Sequence, residues 1–271
     1  MSKRIFQRLA VAYPAGNTTA VVFDELGKFN RKKLNADIMS AWQAVSPDQP
    51  PIEQCCFVTR PKNKDALARI EMFGGEFCGN AARSAIWLIT ESEDTAGSIE
   101  VSGVQRPLRF AVKDRVVSVE IPLVTAKNRL RSVAEGTLVR LDGITQLVVI
   151  DPTIRQTPRQ LLTNILEQNR FGLISQPCVG VSCYSTATNQ AQFCVWVKEV
   201  NTIFDETACG SGTAAIGIVL ATQSDTSLSL DVVQPSGKTI KTSCAIRQNT
   251  VTKSFISGTV DVLYDGEFAL P

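Results

Sequence analysis

Two short segments of the chain are near copies of each other: Cys78-Gly79-Asn80-Ala81-Ala82 and Cys209-Gly210-Ser211-Gly212-Thr213. Each sets a cysteine, then glycine and small residues, at the predicted start of an apolar helix, with Glu76 or Glu206 just upstream. A helix N-terminus presents unpaired N–H groups and a partial positive charge, which favour an anion and a thiolate. Two such thiols suit a reaction that needs two proton-transfer groups of one kind. A carbon acid such as an amino-acid Cα, set between the sulfurs, would lose its proton to one thiolate and regain one from the opposite thiol. The centre inverts and no cofactor is needed. The N–H groups of Gly79-Asn80 and Gly210-Ser211-Gly212 could hold the carboxylate and stabilise the enediolate-like charge that develops as the proton leaves. Taken singly, either Cys-Gly pair is equally a buried thiol at a glycine-assisted turn.

The chain of 271 residues contains no histidine. Ser-His-Asp and Cys-His hydrolases are therefore excluded, and a general base must be a carboxylate, a lysine or a thiolate. The eight cysteines stand at 55, 56, 78, 178, 183, 194, 209 and 244. They lack the C-x-x-C spacing of a zinc site, and a disulfide framework is not expected in a chain of this length without an export signal. Apart from Cys78 and Cys209 they read as small core residues. Lys plus Arg number 28 against 26 Asp plus Glu, a balance that makes no case for nucleic acid or a membrane surface as partner. No apolar run is long enough to span a bilayer, and the N-terminal residues lack the pattern of a signal peptide. The expected location is the cytoplasm.

The elements that must position the two cysteines are mostly strands. Alternating or β-branched runs occur over 4–12, 19–23, 68–73, 98–101, 108–112, 116–121, 137–141, 146–150, 179–184, 192–197, 227–233, 239–246 and 255–264. Beyond the two helices behind the cysteines, helical patterns cover 33–44 and 159–169, the latter after Pro158. The cysteine motifs lie 209 − 78 = 131 residues apart, close to half the chain. An internal duplication follows, with the active site between the halves. The expected fold class is α+β: two pseudo-symmetric, mainly β lobes, antiparallel and barrel-like, each wrapped around a central helix. The lobes are residues 1–128 and 129–271, with the final strand able to cross back to the first.

Three motifs, in order over both halves, resemble the diaminopimelate epimerase-like superfamily of cofactor-independent racemases and epimerases. They are Ala15-Gly16-Asn17-Thr18-Thr19-Ala20, Gly74-Gly75-Glu76-Phe77-Cys78-Gly79-Asn80-Ala81-Ala82-Arg83, and Asp205-Glu206-Thr207-Ala208-Cys209-Gly210-Ser211-Gly212-Thr213. The resemblance implies Cys78 and Cys209 as the acid/base pair, with no cofactor and no metal. It implies Asn17, Gly79, Asn80, Gly210, Ser211 and Gly212 as the site for the substrate's amino and carboxylate groups, and Glu53-Gln54 as a pair lining the pocket. Glu206 would orient the second loop. The fold it implies matches the two lobes; some relatives are homodimers, and nothing in the sequence marks an interface.

Departures bear on the substrate. Diaminopimelate epimerases carry a Glu-Arg pair before the second cysteine, whereas Lys198-Glu199-Val200-Asn201-Thr202-Ile203-Phe204 has no arginine there. Their Asn-containing segment before the first cysteine is replaced by Met72-Phe73-Gly74-Gly75, and a histidine usual in those enzymes is replaced by Gln146. These losses argue against a second carboxylate on the substrate. The two cysteine motifs are closer to the histidine racemases that serve opine-type metallophore synthesis. Diaminopimelate epimerase, a phenazine-biosynthesis-type isomerase and a non-catalytic amino-acid-binding paralogue are the alternatives. Bland readings also stand: Asn17 as an ordinary turn, Glu53 as a solvated loop carboxylate, Trp87 and Trp196 as core, and Lys127 with Arg129–Arg131 as a solvated linker.

Overall fold

The computed structural model describes residues 4–23, 31–91, 93–152 and 156–270. In chain order the first elements are β1 (Arg4–Tyr13), β2 (Thr19–Val22), α1 (Arg31–Val45), β3 (Gln54–Thr59), β4 (Arg69–Met72), α2 (Gly79–Ile89), β5 (Thr95–Val101), β6 (Leu108–Lys113) and β7 (Val116–Glu120). The next are β8 (Leu130–Val133), β9 (Gly136–Leu141), β10 (Ile144–Ile150), α3 (Pro158–Glu167), β11 (Cys178–Tyr184), β12 (Ala191–Val197) and β13 (Thr202–Glu206). The last are α4 (Gly210–Ser224), β14 (Leu228–Val233), β15 (Thr239–Arg247), β16 (Thr250–Gly258) and β17 (Asp261–Leu270). Two compact units result: the described residues of Met1–Val117 with those of Thr259–Pro271, and Ser118–Gly258. No helix among the described residues is long and apolar enough to cross a membrane.

In the first unit the strand order is β6-β5-β4-β3-β2-β1-β17. Pairing is antiparallel except at β2/β3 and β4/β5, which are parallel. Parallel neighbours need a crossover, and α1 and α2 lie in those two connections. Period-two alternation then divides the side chains of β2 and β3. Ala20, Val22, Cys55 and Phe57 join Leu34, Ile38, Ala41 and Trp42 of α1 in one apolar cluster. Thr19, Val21, Gln54 and Cys56 are left for the other face, where Gln54 reaches the start of α2. Residues Gly79 to Leu88 of α2 are all buried.

The second unit holds a six-stranded sheet, β13-β12-β11-β10-β9-β8, and the strands β14-β15-β16-β7. Its parallel pair is β10/β11, again with a crossover helix, α3, which opens at a Thr157/Gln160 capping box with Pro158 in the first turn. Leu147, Val179, Val181 and Cys183 pack on Leu162 and Ile165 of α3, so alternation turns Gln146, Val148, Gly180 and Ser182 to the opposite face. Gln146 there meets Ser211 in the first turn of α4. Helix α4 is apolar all round and buried over most of its length, as expected of a central helix. It approaches β15 so closely that a Cβ on Gly217 would come within 2.6 Å of Thr242 Oγ1. Truncating a fully buried residue here, such as Ile216 to alanine, should cost about 2–5 kcal/mol.

The fold class is the α+β, mainly β architecture expected, with parallel pairs at β2/β3, β4/β5 and β10/β11 among the antiparallel strands. Three segments differ from the sequence reading. Gln54–Thr59 and Thr202–Glu206 are strands, and Leu130–Val133 is a strand within the basic stretch read as linker. The run 255–264 is broken after Gly258, so that β16 and β17 fall in different units.

Candidate active site

In the first unit Cys78 is the N-cap of α2. Its backbone is extended (φ −134°, ψ 114°) and its Sγ accepts from the Ala81 N–H at 3.4 Å. Its carbonyl accepts the first helical bond, from the Ala82 N–H at 3.1 Å. The sulfur takes the place of a serine or aspartate oxygen in an ordinary cap. The Gln54 side-chain NH2 lies among three acceptors: Cys78 Sγ at 3.2 Å, Thr19 Oγ1 at 2.9 Å and Asn17 Oδ1. Thr19 is in turn tied to the Asn17 carbonyl at 2.8 Å. Asn17 reaches this position through three successive left-handed residues, Ala15 (φ 73°), Gly16 (φ 109°) and Asn17 (φ 53°). That conformation is natural for Gly and Asn and costly for Ala.

Asn80 is buried and accepts from Arg83 at 3.4 Å, while Arg83 also donates to the Thr259 carbonyl at 3.0 Å. Burial lowers the Arg83 pKa to about 10, and its charge interaction with Cys78 opposes that shift. Burial also raises the Glu76 carboxyl, partly offset by the backbone N–H groups of Glu76 and Gly74. Glu53 is half-buried and its backbone N–H donates to the Thr18 carbonyl at 2.9 Å, beside the Asn17 loop.

The second unit repeats the cap. Cys209 is extended (φ −129°, ψ 107°), its Sγ accepts from the Gly212 N–H at 3.3 Å, and its carbonyl accepts from Thr213 at 2.9 Å. Gln146 Nε2 donates to Ser211 Oγ at 3.0 Å and stands 3.9 Å from Cys209 Sγ; its Oε1 accepts from Ser182 at 3.1 Å. The buried Gln234 secures the turn from behind, accepting from the Cys209 N–H at 3.0 Å and donating to Thr213 Oγ1 at 3.1 Å. The Cys209 thiol is pushed well above its ordinary value by burial, then by the Glu206 carboxylate; Ser211 and Gly212 pull the other way.

The expected site residues other than Glu53 thus fall into two local constellations: Asn17, Gln54, Cys78, Gly79 and Asn80, and Cys209, Gly210, Ser211 and Gly212. Since the Gly212 N–H serves the sulfur, an anion at this helix start would meet the N–H groups of Gly210 and Ser211. Gly212 is needed for space: a Cβ there would lie 2.6 Å from both Ser182 Oγ and a Phe193 ring carbon. The residues that sequence reasoning left out are Thr19, Ser182 and Gln234. A lone polar residue in an apolar strand was the available signal for Ser182.

The family model for the histidine racemase CntK N-terminal domain matches residues 10–268. The chain belongs to this family. It is 28% identical over 241 residues to a histidine racemase of Fusobacterium nucleatum subsp. nucleatum, covering 83% of this chain and 84% of the relative. A histidine racemase of Staphylococcus aureus is 24% identical over 241 residues, covering 85% and 86%. Among solved structures, a predicted epimerase from Pseudomonas aeruginosa has a TM-score of 0.62 at 12% identity, covering 97% of this chain and 99% of that one. A hydroxyproline epimerase from Agrobacterium vitis has a TM-score of 0.60 at 13% identity, covering 98% and 93%. These structures share the fold with this histidine racemase family member.

Proposed function

We propose that this amino-acid racemase inverts the Cα of histidine, with Cys78 and Cys209 as its acid/base couple. One observation carries this reading within the family: both thiols cap a central helix in the same geometry, each beside a buried glutamine amide. One of the two, as thiolate, takes the α-proton while the other, as thiol, returns one. The first-turn N–H groups of α2 and α4 hold the substrate carboxylate and stabilise the enediolate-like charge. Asn17 and Gln54 orient the substrate beside Cys78. The chemistry needs both thiols reduced, a state the cytoplasm maintains.

The test is α-proton exchange in D2O. Both L- and D-histidine should incorporate deuterium at Cα, and Cys78→Ser and Cys209→Ser should each abolish inversion. Racemisation that survives both substitutions would sink the two-thiol mechanism, and exchange confined to another amino acid would reassign the substrate.

A further inference from the structure

The electrostatic surroundings of the two capping thiols differ as much as their geometry agrees. Arg83, in the second turn of α2, has no solvent exposure and leads the fully buried side chains in volume. Its guanidinium donates to Asn80 Oδ1 and to the Thr259 carbonyl, while its Nε is buried without a partner. Among the described residues no carboxylate lies within ion-pair distance of it. A guanidinium stays charged at neutral pH, and a buried charge is costly unless an opposite charge answers it. Through Asn80, Arg83 is tied to the first turn of α2, which Cys78 caps, and among the described residues Cys78 is the group whose charge offsets part of that burial. The corresponding position behind Cys209, five residues on, is Ala214. Cys209 has instead the carboxylate of Glu206 as its charged neighbour.

We propose that Arg83 is the built-in counterion of Cys78, holding it as the thiolate in the resting protein while Cys209 stays a thiol. The inference presupposes the two-thiol racemase chemistry above and makes Arg83 a positioning residue that sets the starting arrangement of the couple's proton. Other groups on the elements packed against α2 do not take this part. On β3, Cys56 is kept neutral by burial and Gln54 does not titrate. Arg8 on β1 is paired with Asp265, and Arg69 on β4 holds Glu71 and the β5 carboxylate Glu100. Glu76, just before the cap, is pushed toward its neutral form by burial.

The experiment is iodoacetamide alkylation of the intact protein across pH, resolved by residue with mass spectrometry. The pH midpoint at each cysteine is the readout, because the two differ in access. In the wild type the Cys78 midpoint should lie below that of Cys209; equal or reversed midpoints overturn the proposal without any variant having to fold. Arg83→Met should slow Cys78 alkylation at pH 7 about tenfold or more, the effect of a midpoint raised by one unit, and Arg83→Lys should restore most of it. An unchanged midpoint in folded Arg83→Met, checked by circular dichroism, also overturns it. Histidine exchange is measured on the same wild-type sample. No exchange with a low Cys78 midpoint removes the racemase reading and leaves the counterion in place. Exchange with an unmoved Arg83→Met midpoint does the reverse.

Discussion

Gln146 and Gly180 stand opposite each other in the parallel pair β10/β11, and the glutamine fills the space a Cβ on residue 180 would need, 2.2 Å from its Oε1. In the first unit the parallel pair β2/β3 places Thr19 opposite Gln54. A parallel pair thus carries a glutamine in both units, on the first strand of one pair and the second of the other, each aimed at a capping thiol. A glutamine donates an N–H to sulfur and cannot itself take the proton.

Gly180→Ala should therefore act on chemistry at a distance. The added methyl displaces Gln146 and with it the support of Ser211 and Cys209. We expect kcat to fall about hundredfold, the order associated with an ångström of misplacement. Destabilisation should be about 1–3 kcal/mol from overpacking. Steady-state kinetics beside a urea melt tests this; unchanged kcat would remove Gln146 from the mechanism.

Gln54→Glu keeps the shape and replaces a donor with a carboxylate next to Cys78. It should lower kcat about hundredfold, as loss of an aligned donor does, and move the pH dependence of Cys78 alkylation upward. Wild-type kinetics in the variant would show that the amide is dispensable.

Glu206→Gln should do the opposite at the other thiol. Glu206 is the charged group that holds Cys209 up, after burial, so removing its charge should lower the pH midpoint of Cys209 alkylation and leave that of Cys78 in place. A midpoint that stays or rises contradicts the assignment.

Buried thiols also predict how stability depends on alkali. Burial lifts Cys183 from 9.0 to about 11, and burial with nearby Asp205 lifts Cys194 from 9.0 to about 12. Cys55, Cys56 and Cys209 are raised as well. The folded state then holds protons that the unfolded chain releases, so this stabilisation is complete below the ordinary thiol pKa and is lost as pH rises toward the folded values. The Tm should be flat to about pH 8.5 and fall progressively above it. Cys194→Ala should flatten that decline, whatever it does to the Tm at neutral pH.

With no histidine in the chain, an acid limb of kcat/KM near pH 6.5 comes from the substrate's imidazole or from a perturbed group such as the Cys78 thiolate, and we expect it to come from the imidazole. It should vanish with a substrate whose ring does not titrate there, such as triazolylalanine. Persistence of the limb would place a titrating group on the protein.

Both capping cysteines were legible in the sequence, because a helix N-terminus is local: cysteine, glycine and small residues lie together within five positions. The glutamines were legible only in part. Gln54 came through the resemblance, and its strand was hidden because Gln54-Cys55-Cys56-Phe57 is buried on both faces and shows no alternation. The link from Gln54 to Thr19 spans 35 residues and that from Gln146 to Ser211 spans 65. Such links depend on the register of parallel strands joined through a helix, which no window of sequence contains. Arg83 was visible as part of a motif, but nothing along the chain marks it as a cation in the core. The break at Gly258 was likewise concealed within one continuous β-branched run.

Each candidate catalytic sulfur is also the fastener of its unit's central helix. Alkylation, oxidation or metal capture at Cys78 or Cys209 would disable the chemistry and unpin the first turn of α2 or α4 in one event. Thermal shift therefore becomes a substrate-free gauge of how many molecules in a preparation are competent, and a batch that melts early can be set aside before any enantiomer is measured.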